Sequence, residues 1–181
     1  MKEIQTDPDD LFTIYFANNL SCKDFKFISQ VVSFSRGFFA IVLRFGLWTN
    51  RGSLVAVKPR FFPEVILVGH STSAGGLSVT DCIHKFGTKK ILMAFYVTAN
   101  MPPTFKAIPR AKFTDGPDAD KVPRVYIKTM HDQSIPPDLQ DAMIRRWPPS
   151  QVFEIESDHS PFFSNPFVLF GFIVKAVASI D

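Results

Sequence analysis

Four short apolar runs rich in β-branched and aromatic residues punctuate this chain from residue 63 onward: PEVILVG (63–69), KILMAFYVTA (90–99), RVYIK (124–128) and QVFEI (151–155). Runs of this length and composition suit strands buried on both faces. The segments between them change period. AGGLSVTDCIHKF (74–86) spaces Leu77, Val79, Cys82, Ile83 and Phe86 for a helix, and Gly87 follows as its C-cap. Ser134 is positioned to cap a second helix entered through Pro136 and Pro137, with Leu139, Met143, Ile144 and Trp147 on its apolar face. A last helix is predicted over 166–179, with Phe167, Phe170, Val174 and Val177 on one stripe. The order β-α-β-loop-β-α-β-α predicts an α/β fold, a mostly parallel sheet with helices on both faces.

The loop in that order spans 100–123 and holds five prolines with no clear period. In open α/β sheets, ligands collect at such loops beyond the carboxyl ends of the strands. Residues before the first run give conflicting signals. The most apolar stretch, VVSFSRGFFAIVLRFGLW (31–48), carries Arg36 and Arg44 and is broken by Gly37 and Gly46. A membrane span wants about 20 clean apolar residues, so no span is predicted. A basic-aromatic segment at a membrane surface is the alternative to a segment that simply packs where it can.

With 181 residues, there is length for one domain with a sizeable core. Twenty Lys+Arg against 17 Asp+Glu leave only +3, and no basic cluster interleaves with aromatics, which sets nucleic acid aside. Two cysteines make no disulfide framework, and Cys82 reads as a small buried hydrophobe. No Cys/His cluster has zinc spacing, and no cofactor is expected. The acidic, polar start MKEIQTDPDD does not read as a secretory signal, so a cytoplasmic location is expected.

The chemistry-bearing junction follows the first run: Gly69-His70-Ser71-Thr72-Ser73-Ala74-Gly75-Gly76. A strand turning into a helix through small residues is the nucleophile-elbow pattern, in which a strained turn exposes a serine oxygen near backbone N–H groups. The usual form is G-x-S-x-G. Ser71 keeps the strand-side glycine and Ser73 the helix-side glycine. Ser73 is favoured because S-A-G-G sets close helix packing, with Ser71 open and the Ala74 N–H as an oxyanion donor. A base and an orienting acid are required as well. In α/β-hydrolases they follow in the order Ser, Asp, His. Asp132 lies just beyond RVYIK and His159 just beyond QVFEI, each at a strand's carboxyl end. His131 reads as a surface residue and Asp158 as turn-forming.

Two stretches resemble the plant methylesterase family of the α/β-hydrolase superfamily, which is related to the hydroxynitrile lyases. They are VILVGHSTSAGGLSVTDCIHKFGTKKILMAFYVTA (65–99) and residues 121–178, above all KVPRVYIKTMHDQSIPPDLQDAMIRRWPPSQVFEIESDHSPFF. The resemblance covers about two thirds of the chain and implies 63–181 as an α/β-hydrolase core behind a divergent segment, 1–62. It implies hydrolysis of small methyl esters of the plant-hormone type, such as methyl jasmonate, methyl indole-3-acetate or methyl salicylate, through Ser73 or Ser71, Asp132 and His159. The chain departs from the family in three places. GHSTSAGG is two residues longer than the family's G-H-S-x-G-G, no His-Gly pair occurs in 1–62, and Met101 runs almost directly into PPTFKAIPRAKF where a helical cap normally intervenes. A βαβ unit takes about 30 residues, so an eight-stranded member needs about 240, and this chain is expected to be a partial fold with the cap largely deleted. In the lyases the catalytic His is followed by Lys. Here Ser160 follows His159, which favours the esterases. The alternative is a weak or inactive ligand-binding member of the same fold.

Overall fold

The computed structural model describes residues 12–17, 28–30, 54–59, 64–101 and 116–180, with side chains for 64–71, 75–101 and 116–180. Strands β1 (Phe12–Ala17), β2 (Ile28–Gln30) and β3 (Leu54–Pro59) precede the first predicted run. Then come β4 (Val65–His70), a π-helical turn (Ser71–Gly76), α1 (Leu77–Phe86) and β5 (Ile91–Val97). Beyond the long loop follow β6 (Arg124–Thr129), α2 (Pro137–Arg146), β7 (Gln151–Ile155), α3 (Pro161–Ser164) and α4 (Pro166–Val177).

The described strands form one sheet in the order β2-β1-β3-β4-β5-β6-β7. The pairings from β2 through β4 are antiparallel, and those from β4 through β7 are parallel. Parallel neighbours need a crossover, and α1 and α2 supply it between β4 and β5 and between β6 and β7. Alternation along the strands divides the core. Leu67, Ala94, Tyr96 and Tyr126 pack with Val79, Cys82 and Ile83 of α1 and with Met143, Ile144 and Trp147 at the end of α2. Val68, Phe95, Val97 and Ile127 point the other way, onto Phe162, Leu169 and Ala176 of α3 and α4. The α/β reading with helices on both faces therefore holds, as a partial α/β-hydrolase fold. The shortened cap was expected in a stretch whose residues 102–115 lie outside the described ones.

Three local expectations change. Ser134 does not cap α2. Pro136 is extended and takes the N-cap position with no side-chain cap, and the Ser134 N–H donates to Asp132 Oδ1. The apolar stripe of α4 also differs. Phe167 and Val174 face solvent, while Leu169 and Ala176 are buried beside Phe172 and Ile173. The helix is apolar almost all round, so its pattern does not say which side turns inward. Cys82 is buried as expected, but it is disulfide-bonded. Gly87 does end α1, at φ +52, its N–H returning to the Ile83 carbonyl. Among the described residues no helix is long and apolar enough to cross a membrane.

Candidate active site

Four parallel strands deliver their carboxyl ends to one edge of the sheet, and the candidate residues collect there. β4 ends at His70, and Ser71 follows with φ +66, a left-handed backbone that a non-glycine residue adopts only at a cost of about 1–3 kcal/mol. Close packing holds it. A Cβ on Gly75 would lie 2.0 Å from the His70 carbonyl oxygen, and one on Gly69 would lie 2.6 Å from the Gly75 oxygen. Gly75 stands four positions after Ser71 yet still returns to β4. The turn from Ser71 to Gly76 is wound as a π-helix, whose i→i+5 bonds enclose more residues per turn than an α-helix does.

Asp132 lies in the turn after β6 and is buried. Its Oδ1 accepts the N–H groups of Ser134 at 2.7 Å and Ile135 at 2.9 Å. Its Oδ2 accepts the Thr129 hydroxyl at 3.1 Å, the Thr98 hydroxyl, and His159 Nδ1 at 2.8 Å. Burial pushes this carboxyl up, but the donors from Thr98, Ile135, His159 and Ser134 outweigh it and hold it below its ordinary value. The anion only accepts, so His159 Nδ1 carries the proton and Nε2 is left as an acceptor. Ser71 Oγ stands 2.8 Å from that Nε2 and donates to it. A chain of hydrogen bonds thus runs from Ser71 through His159 to Asp132.

The loop carrying His159 is tied to the Asp132 turn by Met130 N–H to Ile155 O and His131 N–H to Ser157 O, both 3.0 Å. Asp158 shapes it, accepting the Ser160 N–H at 2.9 Å and the Ser164 hydroxyl at 3.1 Å. His131 pairs with Glu156 at the exposed surface, 2.6 Å away.

His70 is buried beside this path. Its Nε2 donates to the His159 carbonyl oxygen at 2.7 Å, and its ring lies 4.9 Å from those of His159 and Phe162. Burial holds its imidazole down to about 4 against the opposing pull of that carbonyl, so it is neutral near pH 7. Its Nδ1 has no hydrogen-bond partner among the described residues.

Of the residues singled out in the sequence, Ser71, Asp132 and His159 come together. Ser73 and Ala74 lie in the same turn, with side chains outside the described residues. Sequence reasoning missed Thr98, Gln140 and His70, since contacts made only in the fold create their roles, across strands for Thr98 and His70 and back onto the Asp132 turn for Gln140. The one available signal was that His70 sits next to the serine. Among the described residues, no group of three or more His, Cys, Asp or Glu is arranged to hold a metal ion.

No family model matches the chain. It is 38% identical to Methylesterase 17 of Arabidopsis thaliana, over 66% of this chain and 69% of that protein. It is 33% identical to pFDCC methylesterase MES16 of the same plant, over 65% and 70%. The crystal structure of MES16 superposes with a TM-score of 0.54 at 35% identity, covering 64% of this chain and 70% of that one. Polyneuridine aldehyde esterase, at 19% identity, gives a TM-score of 0.56 over 66% and 74%, a likeness of fold alone.

Proposed function

The chain belongs to the plant methylesterase family, serine esterases on the α/β-hydrolase fold, and from that premise we propose that it hydrolyses small methyl esters with Ser71 as nucleophile, His159 as base and Asp132 as orienting acid. The observation that carries the reading is the unbroken relay, 2.8 Å from Ser71 Oγ to His159 Nε2 and 2.8 Å from His159 Nδ1 to Asp132 Oδ2.

In this mechanism Ser71 Oγ attacks the ester carbonyl while His159 Nε2 takes its proton. Asp132 holds the imidazolium in place. His159 returns the proton to the departing methanol, and a water activated by the same nitrogen then releases the acid and restores Ser71. The N–H of the residue after the nucleophile heads the oxyanion hole, which makes it Thr72 for Ser71; Ala74 takes that role only if Ser73 is the nucleophile. The His-Gly pair that supplies the family's second oxyanion N–H has no counterpart in 1–62. Loss of one such donor costs about 10²–10³ in rate, so turnover slower than an intact site's is expected. The proposed substrates are hormone-type methyl esters such as methyl jasmonate, methyl indole-3-acetate and methyl salicylate, in line with the name methylesterase carried by the relatives.

The test uses the purified full chain with p-nitrophenyl acetate and methyl jasmonate. Ser71→Ala should lower the rate by at least about a thousandfold, with Ser73→Ala close to wild type. A rate unaffected by Ser71→Ala but abolished by Ser73→Ala would move the nucleophile. Saturable binding of methyl jasmonate with no acid formed would favour a binding protein instead.

A further inference from the structure

We infer that Thr98 is a positioning residue that keeps the Asp132 carboxylate aimed at His159, a role that rests on the esterase reading above. Thr98 lies one residue beyond β5 and is fully buried. Its φ is +39, in a region where a β-branched residue is a genuine outlier. The backbone is pinned there, since the Thr98 N–H extends the ladder to the Ile127 carbonyl of β6 at 2.9 Å. The side chain this conformation presents is a hydroxyl that donates to Asp132 Oδ2. Strain held in place at a candidate site is a pointer to function.

The other donors show why this one matters. Thr129, Ser134 and Ile135 all lie within three residues of Asp132, so they shape its turn from within. His159 is the partner to be oriented. Apart from His159 itself, Thr98 is the one donor among these that comes from outside β6 and its turn, and it ties the carboxylate to the end of β5. Thr98 and Thr129 meet Oδ2 from neighbouring strands and leave the remaining approach to the imidazole.

Among the described residues, the titratable groups facing the pair are few. His70 at the end of β4 is neutral above about pH 4, and burial raises Tyr126 on β6 far above its ordinary value. The His131–Glu156 pair lies on the exposed side of the same loops. Between pH 5 and 9 His70 and Tyr126 stay neutral, so neither adds a charge beside the pair over that range.

Thr98→Val keeps the branch, the volume and the backbone strain, and removes only the hydroxyl. With the full chain and p-nitrophenyl acetate, it should lower kcat about tenfold with KM unchanged. It should also move the acid limb of kcat/KM down by about half a pH unit, because a carboxylate free to turn holds the imidazolium less well. Thr98→Ser should restore both. The His159 imidazole titration, followed by NMR, should show the same shift and restoration, and it needs no turnover. If Thr98→Val gives no cooperative thermal transition, Thr98→Ala is compared with Thr98→Ser in the same way. An unmoved limb and titration overturn the inference, as does an upward shift, which would mean that Thr98 only damps the charge on Oδ2. Hydrolysis that survives both Ser71→Ala and Ser73→Ala defeats the esterase reading instead, and the titration still decides on Thr98.

Discussion

Gln140 carries no charge and is remote from Ser71, yet its amide makes four hydrogen bonds beneath the Asp132 turn. Oε1 accepts the Thr129 N–H at 3.1 Å. The two N–H groups of Nε2 are shared among the Thr129 carbonyl at 3.0 Å, the Thr129 hydroxyl at 3.2 Å and the Ile135 carbonyl at 2.7 Å. The side chain is fully buried, so its removal strands several backbone groups without water. Gln140→Met, of similar length and apolar, should lower stability by about 3 kcal/mol in urea unfolding. A loss below about 1 kcal/mol would mean that the turn is held without it. At this scale the sequence is readable only in part. Asp132 and His159 stand out because each follows a strand, in the order the chemistry needs. Gln140 and Thr98 do not, because an amide on a helix acquires its role only when the helix folds back under the preceding turn, and a threonine after a strand only when the next strand's loop is laid against it.

The turn between β4 and α1 shows how an element absorbs a change of length. Two residues beyond the family's motif are taken up by π-helical winding, and Gly69 and Gly75 still touch. Gly75→Ala would set a methyl against backbone atoms of His70, which cannot swing aside as a side chain can. A loss of about 3 kcal/mol is expected, with most Ser71-dependent hydrolysis gone, read by thermal unfolding and ester assay. Deleting Thr72 and Ser73 leaves GHSAGG, the family spacing. That variant should fold with an unchanged or higher Tm and keep hydrolysing p-nitrophenyl acetate; an unfolded product would show that the two residues are needed rather than accommodated. The parallel strands were legible because burial on both faces leaves continuous apolar runs. The strands at 12–59 were not. Their places follow from antiparallel pairing, β3 on β4 and β1 on β3, and pairing leaves no periodic mark in a segment dominated by the apolar stretch at 31–48.

For the molecule as a whole, folding commits a histidine to stay neutral at the joint between β4, the His159 loop and α3. Unfolded, His70 titrates near 6.5; folded, it is held down to about 4. The unfolded chain therefore binds the extra proton first as pH falls. The stability tied to the neutral ring is fully present above 6.5 and is lost progressively down to 4. The interval corresponds to about 3 kcal/mol, at 1.36 kcal/mol per pH unit. Asp132 acts in the same sense at lower pH. Its folded carboxyl lies below the ordinary 3.8, so the stability it contributes is present above that value and fades only as pH falls through the folded one. Acid should thus weaken the fold in two stages, the histidine first. Urea unfolding at pH 7, 5.5 and 4.5 should show the first stage in the wild type. His70→Gln, which keeps a donor for the His159 carbonyl but cannot charge, should lose most of that dependence while remaining close to wild type at pH 7. Equal slopes in the two proteins would mean that the charge uptake lies elsewhere, and that His70, with its ring centroid 4.9 Å from the tilted His159 ring and the edge-on Phe162 ring, tolerates a proton at no cost to the fold.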